Sequence, residues 1–188
     1  MTSEEQTYFD ILGLARRYAL DPRELEERYR ALSRQWHPDV HGRASPAERV
    51  RILQRATDLN QAYRVLRNDD ERAAYLLRLE GVDIGAEEPG AQAQVDPTFL
   101  AEMLELREAL AEAQAARDEQ AVRAIEAMVR RRCEEARAQV AAGFVRLEAG
   151  DRSALADIAR RLIELRYLRR FHDELDRYEE ARLLDAQG

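Results

Sequence analysis

The chain is predicted to be all-α: an antiparallel helical hairpin with two short helices, followed by a three-helix bundle. Three observations support this. The composition is 45% hydrophobic and 36% charged, with only 8 Gly and 5 Pro in 188 residues, which leaves little turn material and suits long helices rich in Ala, Leu, Glu and Arg. Apolar residues recur at helical spacing, with no strand candidate and no internal repeat. Helix starts are also explicitly marked. Asp21-Pro22-Arg23-Glu24 and Ser45-Pro46-Ala47-Glu48 each supply a capping side chain, Pro at the first helical position and Glu at the third, and Asp96-Pro97 repeats the cap-then-Pro signal. Each cap stabilises its helix by ~1 kcal/mol, enough to fix where it begins.

The first long helix, about 22–36, places Leu25, Tyr29, Leu32 and Trp36 on one face. The second, about 46–67, does the same with Ile52, Ala56, Leu59, Tyr63 and Leu66. Two stripes of this length joined by a loop at 37–45 should pair as an antiparallel hairpin. A short helix before it (Tyr8, Ile11, Leu12) and one after it (Ala73, Leu76, Leu79, stopped by Gly81) would cover the open side. These elements make a domain over 6–80. Residues 81–95 break both period and composition and are expected to be a linker. Residues 96–188 form the second domain, with helices near 97–115, 119–147 and 152–184 separated by turns at Arg117-Asp118 and Gly150-Asp151.

Composition also narrows the function. No apolar run approaches the ~18 residues needed to span a bilayer, and Met1-Thr2-Ser3-Glu4-Glu5 lacks the basic and apolar regions of a signal peptide. A cytoplasmic protein with no membrane contact is expected. Cys133 is the only cysteine, so neither an internal disulfide nor a cysteine-based metal cluster can form. It lies among Arg130, Arg131 and Arg132 and is expected to be a bystander thiol. His37, His41 and Asp39 fall short of four close metal ligands, because the third histidine, His172, lies on the distant last helix. No metal or cofactor is expected. With no nucleophile triad, phosphate loop or paired catalytic carboxylates, neither is an enzyme.

The net charge of −7 is unevenly shared. Residues 1–80 are neutral overall, with 14 Arg and 14 acids; residues 81–188 carry the whole −7. Within the first part, residues 15–67 hold 12 Arg against 7 acids. A basic surface on one half and an acidic one on the other suggest two different partners. Interleaving of the arginines with acids argues against nucleic acid.

His37-Pro38-Asp39 follows the first long helix. Pro38 cannot continue a helix and turns His37 out of helical geometry. A stiff corner presents His37 and Asp39 at low ordering cost, and an exposed carboxylate suits bidentate capture by a partner arginine. Arg30 and Arg34 stand two turns and one turn before His37 and would extend such a contact.

A Tyr-Leu-Trp stripe ending at this tripeptide, then a basic loop and a capped helix with its own aromatic stripe, resembles the J-domain family over residues 6–80. In that family the His-Pro-Asp loop stimulates ATP hydrolysis by a DnaK-class heat-shock chaperone. The resemblance therefore implies a chaperone-binding set of His37, Pro38, Asp39, Arg30 and Arg34. One departure is visible: Val40 and His41 follow where J-domains usually place a basic residue.

Past the linker there is neither a Gly/Phe-rich stretch nor a run of zinc-binding cysteines. The string from Asp96 to Leu110 instead resembles the opening of the C-terminal domain of the HscB family of iron–sulfur co-chaperones. Asn60-Gln61-Ala62-Tyr63, Arg72-Ala73-Ala74-Tyr75-Leu76-Leu77 and Leu165-Arg166-Tyr167-Leu168 agree as well. On the first helix of this domain, Phe99, Met103, Leu106 and Leu110 make a core stripe. Leu100 and Leu104 are left on its flank, beside Ala101, Glu105, Glu108 and Glu112. Leucines lined by acids suit protein docking. The resemblance places the scaffold-binding residues there: Leu100, Ala101, Leu104, Glu105, Glu108 and Glu112, with Tyr167 as an aromatic contact. Ala101 is smaller than the apolar residue expected at its position. The implied partners are an HscA-like chaperone and an IscU-like iron–sulfur scaffold. Two alternatives are a J-domain adaptor for another client and a helical interaction protein without chaperone activity.

Overall fold

The computed structural model describes residues 6–37, 40, 45–85 and 95–185, with side chains as far as Arg177. Among these the chain forms seven helices and no strand: α1 (Tyr8–Leu12), α2 (Pro22–Gln35), α3 (Pro46–Arg67), α4 (Asp69–Leu79), α5 (Pro97–Ala115), α6 (Glu119–Glu148) and α7 (Ala154–Asp185). They divide into two compact units, residues 1–79 and 80–188.

In the first unit the caps act where the sequence places them. Asp21 Oδ1 accepts from the Arg23 N–H at 2.9 Å, opening α2. Ser45 and Glu48 close a reciprocal capping box that opens α3. A second box that the sequence reading passed over, Thr7 with Asp10, starts α1. Such boxes satisfy backbone donors that a helix N-terminus leaves unpaired.

The α2–α3 hairpin is cross-linked by aromatic and polar side chains more than by leucines. Tyr29 stacks on Tyr63 with ring centroids 3.9 Å apart, and the Tyr29 hydroxyl donates to Asn60 Oδ1 at 3.0 Å. The Arg55 guanidinium lies 4.5 Å from the centre of the Trp36 ring, a cation–π contact. Of the expected α2 stripe only Leu25 is fully buried, while Tyr29, Leu32 and Trp36 are half-buried. The hydrophobic centre comes instead from Phe9 and Leu12 of α1 with Leu59, Ala62 and Leu66 of α3 and Ala73, Leu76 and Leu77 of α4. At the α3–α4 corner, Arg72 is 6% exposed. It donates to Tyr18 O at 2.8 Å and Leu66 O at 2.5 Å and pairs with Asp69 at 2.6 Å, so its charge and donors are matched inside the fold.

In the second unit α5, α6 and α7 run up, down and up. The α6–α7 pair is the tightest contact: a Cβ added at Gly143 would stand 2.5 Å from Ile158 Cγ1, so the absence of a side chain there lets the helices approach. Val129, Val140, Phe144, Ile158, Leu165 and Phe171 fill the centre, and Cys133 is buried. Part of the segment read as linker belongs to this unit. Ile84 is 7% exposed and its carbonyl accepts from Arg166 at 2.9 Å, and Glu80, read from the sequence as the end of the first domain, pairs with Arg152 at 3.0 Å. Burial of one isoleucine and two arginine contacts outweigh the glycines around it. Among the described residues no helix is long and apolar enough to cross a membrane.

Candidate functional site

The first candidate surface stands at the C-terminal end of α2. The helix closes at Trp36, whose N–H still donates to Leu32 O at 2.9 Å. His37 comes next and is exposed, and its carbonyl accepts from the Val40 N–H at 3.0 Å. Pro38 and Asp39 lie outside the described residues, as does His41. Arg30 and Arg34 are both exposed on the solvent side of α2.

Arg30 is not simply a loose charge. Its Nε meets Glu26 Oε1 at 2.6 Å, and Glu26 also accepts from the Tyr63 hydroxyl. The Tyr63 hydrogen bond, then that of Arg30, holds the Glu26 carboxyl below the ordinary glutamate range. The same bond to Glu26 raises Tyr63 above the usual tyrosine value. Glu26 thus ties α2 to α3 beneath the basic face and orients the Arg30 guanidinium. Nothing in the sequence pattern distinguished this glutamate from its neighbours Glu24 and Glu27.

The second candidate surface lies on α5 and α7. Asp96 Oδ1 caps α5 through the Thr98 N–H at 2.8 Å. Met103, Leu110 and Ala113 are buried beneath it, with Phe99 and Leu106 half-buried. This fixes the rotation of the helix and leaves Leu100 42% and Leu104 60% exposed. Ala101, Glu105, Glu108 and Glu112 form the adjacent row, all exposed. Glu102, one turn aside, is taken up by Arg132 of α6 at 3.0 Å, whereas Glu105, Glu108 and Glu112 have no ion pair among the described residues. Tyr167 joins from α7: it is half-buried and meets the Phe99 ring edge-on at 6.1 Å. The leucines and the acid row therefore lie on neighbouring exposed faces of α5, and Tyr167 meets that helix through Phe99.

Half-exposed leucines beside carboxylates that have no ion pair among the described residues can accept an apolar side chain with a cation next to it. Among the described residues no three His, Cys, Asp or Glu side chains group as a metal site.

Comparison with known proteins agrees with this division. Residues 7–75 match the DnaJ domain family and residues 95–176 match the HSCB C-terminal oligomerisation domain. The chain is 40% identical over 170 residues to a co-chaperone protein HscB homolog of Ralstonia nicotianae, covering 90% of this chain and 94% of that one. It is 39% identical over 163 residues to the homolog from Burkholderia multivorans, covering 87% and 90%. Among solved structures, the chaperone HscB from Vibrio cholerae superposes with a TM-score of 0.76 at 31% identity, over 93% of this chain and 98% of that one. The human co-chaperone protein HscB gives 0.79 at 26% identity, over 94% and 84%. With a DnaJ domain, an HscB C-terminal domain and near-full-length relatives all in agreement, this chain belongs to the HscB co-chaperone family.

Proposed function

We propose that this protein binds an IscU-like iron–sulfur scaffold through the α5–α7 edge and delivers it to a DnaK-class, HscA-like chaperone in the cytoplasm. Its His37-Pro38-Asp39 corner, flanked by Arg30 and Arg34, stimulates ATP hydrolysis by that chaperone. The protein itself is a regulator and hydrolyses nothing. The observation that carries this reading is the exposure of Leu100 and Leu104 beside three glutamates that have no ion pair among the described residues, in a unit that contains no part of the His-Pro-Asp corner.

Electrostatics divides the work. The basic face of α2 suits an acidic patch on the ATPase, and the carboxylates of α5 suit a basic rim on the scaffold. Proline in the tripeptide has its φ fixed by the ring, which lowers the ordering needed on docking, so the contact can form and release within each ATPase cycle.

Isothermal titration with the purified apo-scaffold tests the client assignment. The full chain should bind one scaffold, with affinity falling as salt rises because the carboxylate row is exposed. Absence of binding at low salt would leave a J-domain protein with some other client.

A further inference from the structure

Arg107 is the one basic residue of α5, set among Glu102, Glu105, Glu108 and Glu112. It follows Leu100 and Leu104 at i, i+4 and i+7 and so continues the leucine row. On α7, Tyr167 and Glu174 are likewise seven residues apart on one face. Two contacts register these rows: the Phe99–Tyr167 ring contact at 6.1 Å and the Arg107 Nη2–Glu174 Oε1 ion pair at 3.0 Å. Leu104, the more exposed leucine, falls between them.

We propose that Arg107, oriented by Glu174, is a binding residue of the docking edge that donates hydrogen bonds directly to an acceptor oxygen of the scaffold. This rests on the α5–α7 edge being the scaffold site. Three features support it. The guanidinium has five N–H donors and the Glu174 contact engages Nη2, so donors remain for a second partner. Both side chains are substantially exposed, 48% and 41%, so the pair adds little to folding and its geometry is available to another protein. Arginine beside apolar anchors at an interface is a common source of binding energy, and an arginine already held by a carboxylate loses less rotamer freedom on docking. The partner is thereby specified further. It should offer an apolar side chain to Leu100, Leu104 and Tyr167, cations to the Glu105–Glu108–Glu112 row, and a carbonyl or carboxylate oxygen at the Arg107 end.

Titration of the purified apo-scaffold into full-length variants tests this. Arg107→Ala should weaken binding by about tenfold, the size of a single strong contact, with the melting temperature unchanged. Arg107→Lys should recover only part of the loss, since an ammonium lacks the planar fork. The swap Arg107→Glu with Glu174→Arg keeps an α5–α7 ion pair but moves the donors to the other helix, and should remain as weak as Arg107→Ala. Wild-type affinity in Arg107→Ala overturns the proposal. Full recovery in the swap does so too, because Arg107 would then be only a brace between helices. Leu100→Ala with Leu104→Ala is the reference: if that variant binds normally, the edge itself is not the scaffold site and the failure lies there.

Discussion

Replacing Leu100 and Leu104 together by alanine should separate docking from folding. Fully burying a leucine is worth about 1.5–3 kcal/mol. Leu100 and Leu104 retain 42% and 60% exposure. Covering what remains is therefore worth about 1 kcal/mol each, or roughly 2 kcal/mol for the pair, which is about thirtyfold in affinity. The cost to the free protein is smaller. Truncation at these exposures leaves no enclosed cavity, and alanine is the best helix former, so the change in stability should stay below about 1 kcal/mol, a few degrees for a chain of this size. Met103→Ala and Leu110→Ala, at 4% and 6% exposure, are the contrasting controls. Each opens a cavity and should cost about 2–5 kcal/mol. Thermal melts by circular dichroism and titration against the scaffold read both quantities on one sample. If the leucine double variant melts as low as the core controls, Leu100 and Leu104 are core and the docking argument fails. It fails equally if binding changes by less than about twofold.

Other outcomes follow from the packing. Gly143→Ala should destabilise the second unit by about 1–3 kcal/mol despite alanine's better helix propensity, because the new methyl meets Ile158 Cγ1 at 2.5 Å. Ile158→Ala removes the clashing Cγ1, so on melting curves it should cost less in the Gly143→Ala background than in the wild type. Arg72→Met leaves Tyr18 O and Leu66 O without their donor inside the J-domain, at roughly 1–3 kcal/mol per acceptor. Chemical denaturation should show the loss, with scaffold binding intact. Glu26 has a lowered pKa in the folded state, so the stability it contributes is present above the ordinary glutamate range and is lost as pH falls through the lowered value. Tyr63→Phe removes the main cause, and an NMR titration should find the Glu26 carboxyl moved back up toward that range.

Helix limits were legible in the sequence because caps are local. Asp21, Ser45 and Asp96 each act on the next two or three residues, and all three open helices where read. The exposed leucines were legible for a related reason: once Met103 and Leu110 face inward, the 3.6-residue turn leaves Leu100 and Leu104 outward. Short or distant relations were not. In α1, five residues are too few to show a period, and the stripe read as Tyr8, Ile11 and Leu12 omits Phe9, which is 1% exposed. Arg72 is buried by carbonyls at Tyr18 and Leu66, and Ile84 by a guanidinium 82 residues away. The Arg107–Glu174 pair spans 67 residues. Such contacts exist only after the helices have packed, so no local pattern announces them.

Two surfaces serving two partners is the central claim, and chaperone ATPase measured with and without scaffold tests it most directly. The wild-type protein should stimulate hydrolysis, more strongly when scaffold is present. His37→Gln should abolish stimulation while leaving scaffold affinity unchanged. Leu100→Ala with Leu104→Ala should keep the stimulation seen without scaffold and lose the added increment. A wild-type protein that leaves the ATPase rate unchanged, or two variants that fail in the same way, would contradict the account.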